Sequence, residues 1–144
     1  MKKLTITILA IVTIATFTRG SGSFSCPEMQ ISSTDFLESG VVIGIRTRNS
    51  IQRIISQNKP AVCYAYKKRL RDNPNLNGTI TVKFSIDEFG KVISAQTVES
   101  TMSDLELEET IVGRVRKYKF EKIDIPNDTT TVTYPFVFYR NKNF

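Results

Sequence analysis

Few side chains in this 144-residue chain are of a kind that does chemistry. It has no histidine and two cysteines, Cys26 and Cys63. In an oxidising compartment such a pair could close into a disulfide; otherwise the two are isolated thiols. Asp87 and Glu88 are neighbouring carboxylates, but they form a poised acid–base pair only if something buries one of them. With Phe89 and Gly90 after them they fit a tight turn, in which an aspartate bonds its own backbone. There is no glycine-rich phosphate loop and no cluster at metal-ligand spacing. The expectation is a protein that is not an enzyme and uses no metal, no cofactor and no small-molecule substrate.

Charge and hydropathy direct attention to location. The formal net charge is +6, but Lys2, Lys3 and Arg19 lie in the first 25 residues, so the remainder carries a mild excess of +3. Aromatic residues are not interleaved with the basic ones, and nucleic acid is not expected as a partner. Lys2 and Lys3 precede an uncharged apolar run over residues 4–17, and Ser21, Gly22, Ser23 and Ser25 follow as small residues for a peptidase. This is the pattern of an export signal, too short for a comfortable membrane span of about 20 apolar residues. An uncleaved inner-membrane anchor and a lipoprotein at Cys26 are the alternatives, although Ser23-Phe24-Ser25 lacks the aliphatic residue usual before a lipidated cysteine. Each reading sends the domain out of a bacterial cytoplasm, into the periplasm. Residues 1–25 are thus a leader, 26–45 an extended tether, and 46–140 the folded domain; Val41 to Ile45 could be a short strand or part of the tether.

Inside the domain, the organising element is a hairpin over residues 78–100. Ile80, Val82, Phe84 and Ile86 alternate with Thr79, Thr81, Lys83 and Ser85, giving a strand one apolar face. Gly90 stands where the loop needs positive φ. The second strand breaks alternation, which predicts a bulge near Ser94. Ahead of the hairpin, Ile51, Ile54, Ile55, Val62, Ala65 and Tyr66 fall on one helical stripe, with Ser50 as the expected cap and the end near Asp72. Pro60 lies inside this run, so the expectation is one helix bent at residues 57–60 or two end to end. Tyr64 and Tyr66 are read as packing residues. Lys67, Lys68, Arg69 and Arg71 complement the dipole at the helix C-terminus. After the hairpin, Ser103 to Glu106 matches a capping box, and Leu107, Ile111, Val112, Val115 and Tyr118 form the next buried stripe. A last strand spans residues 129–139. Pro135 lacks an N–H and predicts that this strand is at an edge. The fold class is α+β, with two helices on one face of a three-stranded antiparallel sheet.

The segments Tyr64-Ala65-Tyr66-Lys67-Lys68-Arg69-Leu70, Val82 to Val92 through Asp87-Glu88-Phe89-Gly90, Arg116-Lys117-Tyr118-Lys119-Phe120 and Thr133-Tyr134-Pro135-Phe136-Val137-Phe138 occur in order. In this order and spacing the chain resembles the TonB C-terminal domain family over residues 46–139, and its closing strand is most similar to the AgmX/PglI C-terminal subgroup. Members of that subgroup often bear cysteines where this chain has Ala65 and Thr110. The resemblance implies a non-catalytic, envelope-located module that binds a protein or an extended peptide by adding it to the sheet edge. On the expectation from Pro135, the edge would be offered by Thr130, Thr131, Val132, Thr133 and Pro135. The alternative is a structural component of an envelope machine, such as one for gliding motility or surface assembly. A homodimer is compatible with either. The stretch between leader and domain is much shorter than the Pro-rich linker of energy-transducing members, which argues against energy transduction.

Overall fold

A computed structural model describes residues 40–139. Residues 1–25, and with them the export signal, lie outside the described residues, as does most of the tether. The elements in chain order are β1 (Val41–Ile43), α1 (Arg48–Asp72), β2 (Gly78–Ile86), β3 (Val92–Ser100), α2 (Leu105–Val115) and β4 (Thr130–Phe138). The fold is α+β, with two helices and one antiparallel sheet. The sheet has four strands in the order β1-β4-β2-β3, where the sequence predicted three. The extra strand comes from the tether, whose apolar Val41, Val42 and Ile43 pair with Thr133, Val132 and Thr131.

The alternation in β2 and β4 explains the core. Ile80, Val82 and Phe84 stand opposite Phe136, Tyr134 and Val132, so one face of the two central strands is fully apolar. Those side chains share a single cluster with Ile51, Ile55 and Val62 of α1 and with Leu107, Ile111 and Val115 of α2. Each such aliphatic side chain contributes about 1.5–3 kcal/mol when it leaves water. Tyr66 is fully buried, its ring 4.7 Å from that of Phe138, and its hydroxyl donates to the Leu76 carbonyl at 2.5 Å. Tyr64 departs from its expected packing role: it is 68% exposed, on the side of α1 away from the core.

Helix α1 runs unbroken through Pro60. Proline inside a helix costs about 3 kcal/mol or more, and here the apolar stripe on either side keeps its register and holds the helix together. Its cap is Thr47, not Ser50, with the Thr47 hydroxyl accepting the Ser50 N–H at 3.2 Å. In α2 the cap is Asp104 instead of Ser103; its carboxylate accepts the Leu107 N–H at 3.0 Å. The same carboxylate takes the Arg69 guanidinium at 3.1–3.2 Å, tying the end of α1 to the start of α2. Arg69 also reaches Glu106 and Asp72, and its pKa is raised, chiefly by the bond to Asp104.

The hairpin turn is built as expected. Gly90 has φ of +82°, and a Cβ there would lie 2.1 Å from the Phe120 carbonyl oxygen. Strand β3 carries two bulges: Thr81 and Val82 face Glu99 and Thr97, and Ser85 and Ile86 face Ser94 and Val92. Val98 and Ile93 are therefore the extra residues, and both point their side chains largely into solvent.

Candidate functional site

The strand predicted to be an edge is not one along its whole length. Strand β4 lies between β1 and β2, so Thr131, Val132 and Thr133 are paired on both sides. This corrects the expectation that these residues offer free backbone groups. Proline reports only on its own position, and the apolar tether residues fold back to pair just short of it. Thr130 is fully buried, with its hydroxyl 3.3 Å from Asp128 Oδ2, and cannot line an open margin. Pro135 pairs with Thr81 on β2, and β1 stops opposite Thr133. Beyond that point, from Pro135 to Phe138, no strand among the described residues pairs with β4 on the side away from β2.

The direction of the backbone groups along that margin follows from β2. The Thr79 N–H donates to Thr101 Oγ1 at 2.9 Å, and the Thr79 carbonyl accepts the Thr101 N–H at 2.9 Å. Both groups of Thr79 thus turn away from β4. Val137, its partner across β4, belongs to a pair that exchanges no hydrogen bonds, so its own N–H and C=O turn outward, away from β2. By the two-residue repeat, those of Pro135, Thr133 and Thr131 also turn outward. At Thr131 and Thr133 these groups meet β1. At Pro135 the nitrogen that has no proton faces away from β2, and the pairing of β4 with β2 loses no ladder bond.

The same repeat places Thr131, Thr133, Pro135 and Val137 on the face of the sheet away from the helices. Val41 and Ile43 share that face, 48% and 67% exposed, and Tyr139 extends the row just past β4, 49% exposed. Together they form an apolar strip beside the unpaired margin. A shallow depression of about 410 Å³ opens at its base, lined by Thr79, Thr81, Glu99, Thr101, Pro135, Val137 and Tyr139. Sequence reasoning missed Val137, Tyr139 and the β1 residues. The alternation of β4 carried the signal for the first two.

The segment after β1 is anchored firmly. Gly44 has φ of +133° and approaches Thr130 so closely that a Cβ would sit 2.8 Å from the Thr130 Cα. Arg46 is buried and donates to the Asp87 carbonyl at 2.9 Å and to the Glu121 carbonyl. Burial lowers its pKa, against the opposing pull of Asp128, Asp87 and Glu121. The Asp87 carboxylate accepts the Lys91 N–H at 2.8 Å, so this residue serves the turn. Cys63 is buried and disulfide-bonded. Cys26, the expected partner, lies outside the described residues. Among the described residues, no three His, Cys, Asp or Glu side chains gather to hold a metal ion, and no helix is long and apolar enough to cross a membrane.

No family model, no curated protein and no solved structure matches the chain.

Proposed function

We propose that this protein is a non-catalytic, exported protein-binding module that receives an extended peptide along the margin of β4 over residues 135–138. The observation that carries the reading is that, among the described residues, β1 covers β4 only as far as Thr133. The next outward groups are the Pro135 carbonyl and the N–H and C=O of Val137. A strand laid there bonds to those groups and places alternate side chains on Pro135, Val137 and Tyr139. Main-chain bonds supply affinity in this mode, and the side-chain strip supplies selectivity. The missing donor at Pro135 limits the ladder and favours a short, apolar occupant. The opposite edge, β3, supports the reading by contrast: its two bulges interrupt the regular spacing that an added strand needs.

The test is backbone amide mapping of the isotope-labelled chain titrated with extended peptides of alternating apolar residues. Perturbations centred on residues 134–139 and 41–43 are the expected result. Perturbations confined to β3 or to the helices would refute this site. Val137→Pro removes an outward N–H without removing a bond to β2. It should abolish the response while far-UV circular dichroism stays unchanged.

A further inference from the structure

Helix α1 is electrically unlike the rest of the domain. It carries seven basic residues and one acidic residue, whereas the other described residues carry eight basic and ten acidic. Arg53 pairs with Glu121, and Arg69 turns inward to Asp104, Glu106 and Asp72. At about 100° per residue, Tyr64, Lys67, Lys68 and Arg71 fall within one arc of about 100°, opposite the buried Ile51, Ile55 and Val62. All four are exposed. Asp72 is the helix's one acidic residue and is held by Arg69, so no carboxylate of α1 interrupts this arc.

A solvated helix face explains scattered lysines, and the dipole explains cations in the last turn. Neither explains an exposed tyrosine at the middle of the cationic arc, 68% open to solvent. We infer that this face of α1 docks on an anionic lipid surface. Lys68 and Arg71 would meet the headgroup charges, and Tyr64 would set its ring at the headgroup level, where an apolar body with a polar tip is favoured. A straight helix face with one central aromatic side chain suits a broad, laterally mobile layer of charge. It carries no second aromatic side chain on which bases could stack, as a single-stranded nucleic-acid surface does. The acidic surplus elsewhere orients the molecule by repelling the same surface. This inference is independent of the peptide margin on β4.

The chain has no tryptophan, so Tyr64→Trp and Phe89→Trp each create a single fluorophore in the full chain, one on the arc and one in the exposed hairpin loop. With vesicles of phosphatidylglycerol and phosphatidylcholine, the Tyr64→Trp emission should shift to the blue and the Phe89→Trp emission should not. On pure phosphatidylcholine neither should shift. Replacing Lys68 and Arg71 by glutamine should weaken vesicle binding about twenty-five-fold, about fivefold for each cation. Added salt should do the same in the parent chain. Equal shifts at both positions would mean attachment through another part of the chain and would overturn the assignment, as would no shift at all. Duplex DNA that competes for the arc and binds Tyr64→Ala as well as the parent would mark a general polyanion site and overturn it too.

Discussion

Val137 faces Thr79 across the centre of the sheet, yet the two exchange no backbone hydrogen bond, because Thr79 turns both its groups to Thr101. An amide inside a nine-residue strand paired to a neighbour is ordinarily slow to exchange with solvent. Val137 should be an exception. Its N–H should exchange at least tenfold faster than those of Phe136 and Phe138, which turn toward β2. Hydrogen exchange followed by NMR checks this directly, and slow exchange at Val137 would show that the margin is covered in the free protein.

The two glycines at 90 and 113 should respond in opposite directions to the same change. Gly90→Ala places a methyl against the Phe120 carbonyl at positive φ, and should cost about 2 kcal/mol or more. Gly113 sits in α2, and a Cβ added there would have nothing within 4 Å of it. Gly113→Ala should stabilise by about 0.5–1 kcal/mol through helix propensity alone. Urea midpoints of the two variants measure both effects.

Stability above neutral pH should depend on Tyr118. Its hydroxyl is buried with no hydrogen-bond partner among the described residues, and desolvation pushes its pKa up to about 12, with Arg114 pulling the other way. The folded pKa is above the unfolded value near 10, so the folded state disfavours tyrosinate. This contribution is intact below pH ~10 and is lost as pH rises towards ~12, at a total of about 2–3 kcal/mol. Tyr118→Phe should remove that part of the alkaline slope. At pH 7 the substitution should be neutral or stabilising, since it discards an unsatisfied buried hydroxyl. An unchanged alkaline slope in Tyr118→Phe would disprove the assignment.

Asp104 both caps α2 and receives Arg69. Asp104→Asn keeps an oxygen for the Leu107 N–H, whereas Asp104→Ala keeps none. The alanine variant should be less stable than the asparagine variant by about 1 kcal/mol. Equal losses would mean that the cap bond contributes little and that the ion pair dominates. Thermal unfolding of the pair decides between the two.

The sequence revealed some of this architecture and hid the rest for identifiable reasons. The hairpin was legible because strict alternation in β2 and the residues Asp87 to Gly90 agree on one turn. The two helices were legible from stripes that survive Pro60 and end in basic or capping residues. The bulge expected near Ser94 falls at Ile93, and a second occurs at Val98. Strand β1 was ambiguous because three β-branched residues fit a strand and an extended tether equally well. Its pairing depends on β4, about 90 residues later, which no local pattern encodes. Pro135 pointed to an edge strand but carried no information about Thr131 or Thr133, where β4 is enclosed between β1 and β2. Tyr64 was grouped with Tyr66 by sequence proximity, yet two residues along a helix is slightly more than a half-turn, and the two rings face opposite ways.

The paired bulges of β3 have a consequence for behaviour at high concentration. Each inserted residue, Ile93 and Val98, crimps the outer rim of the sheet and breaks the even ladder that a neighbouring molecule would copy. Two copies cannot join rim to rim there into a growing ribbon. Concentrated protein should therefore stay free of fibres that bind amyloid dyes, even though the rim is long and carries aliphatic side chains.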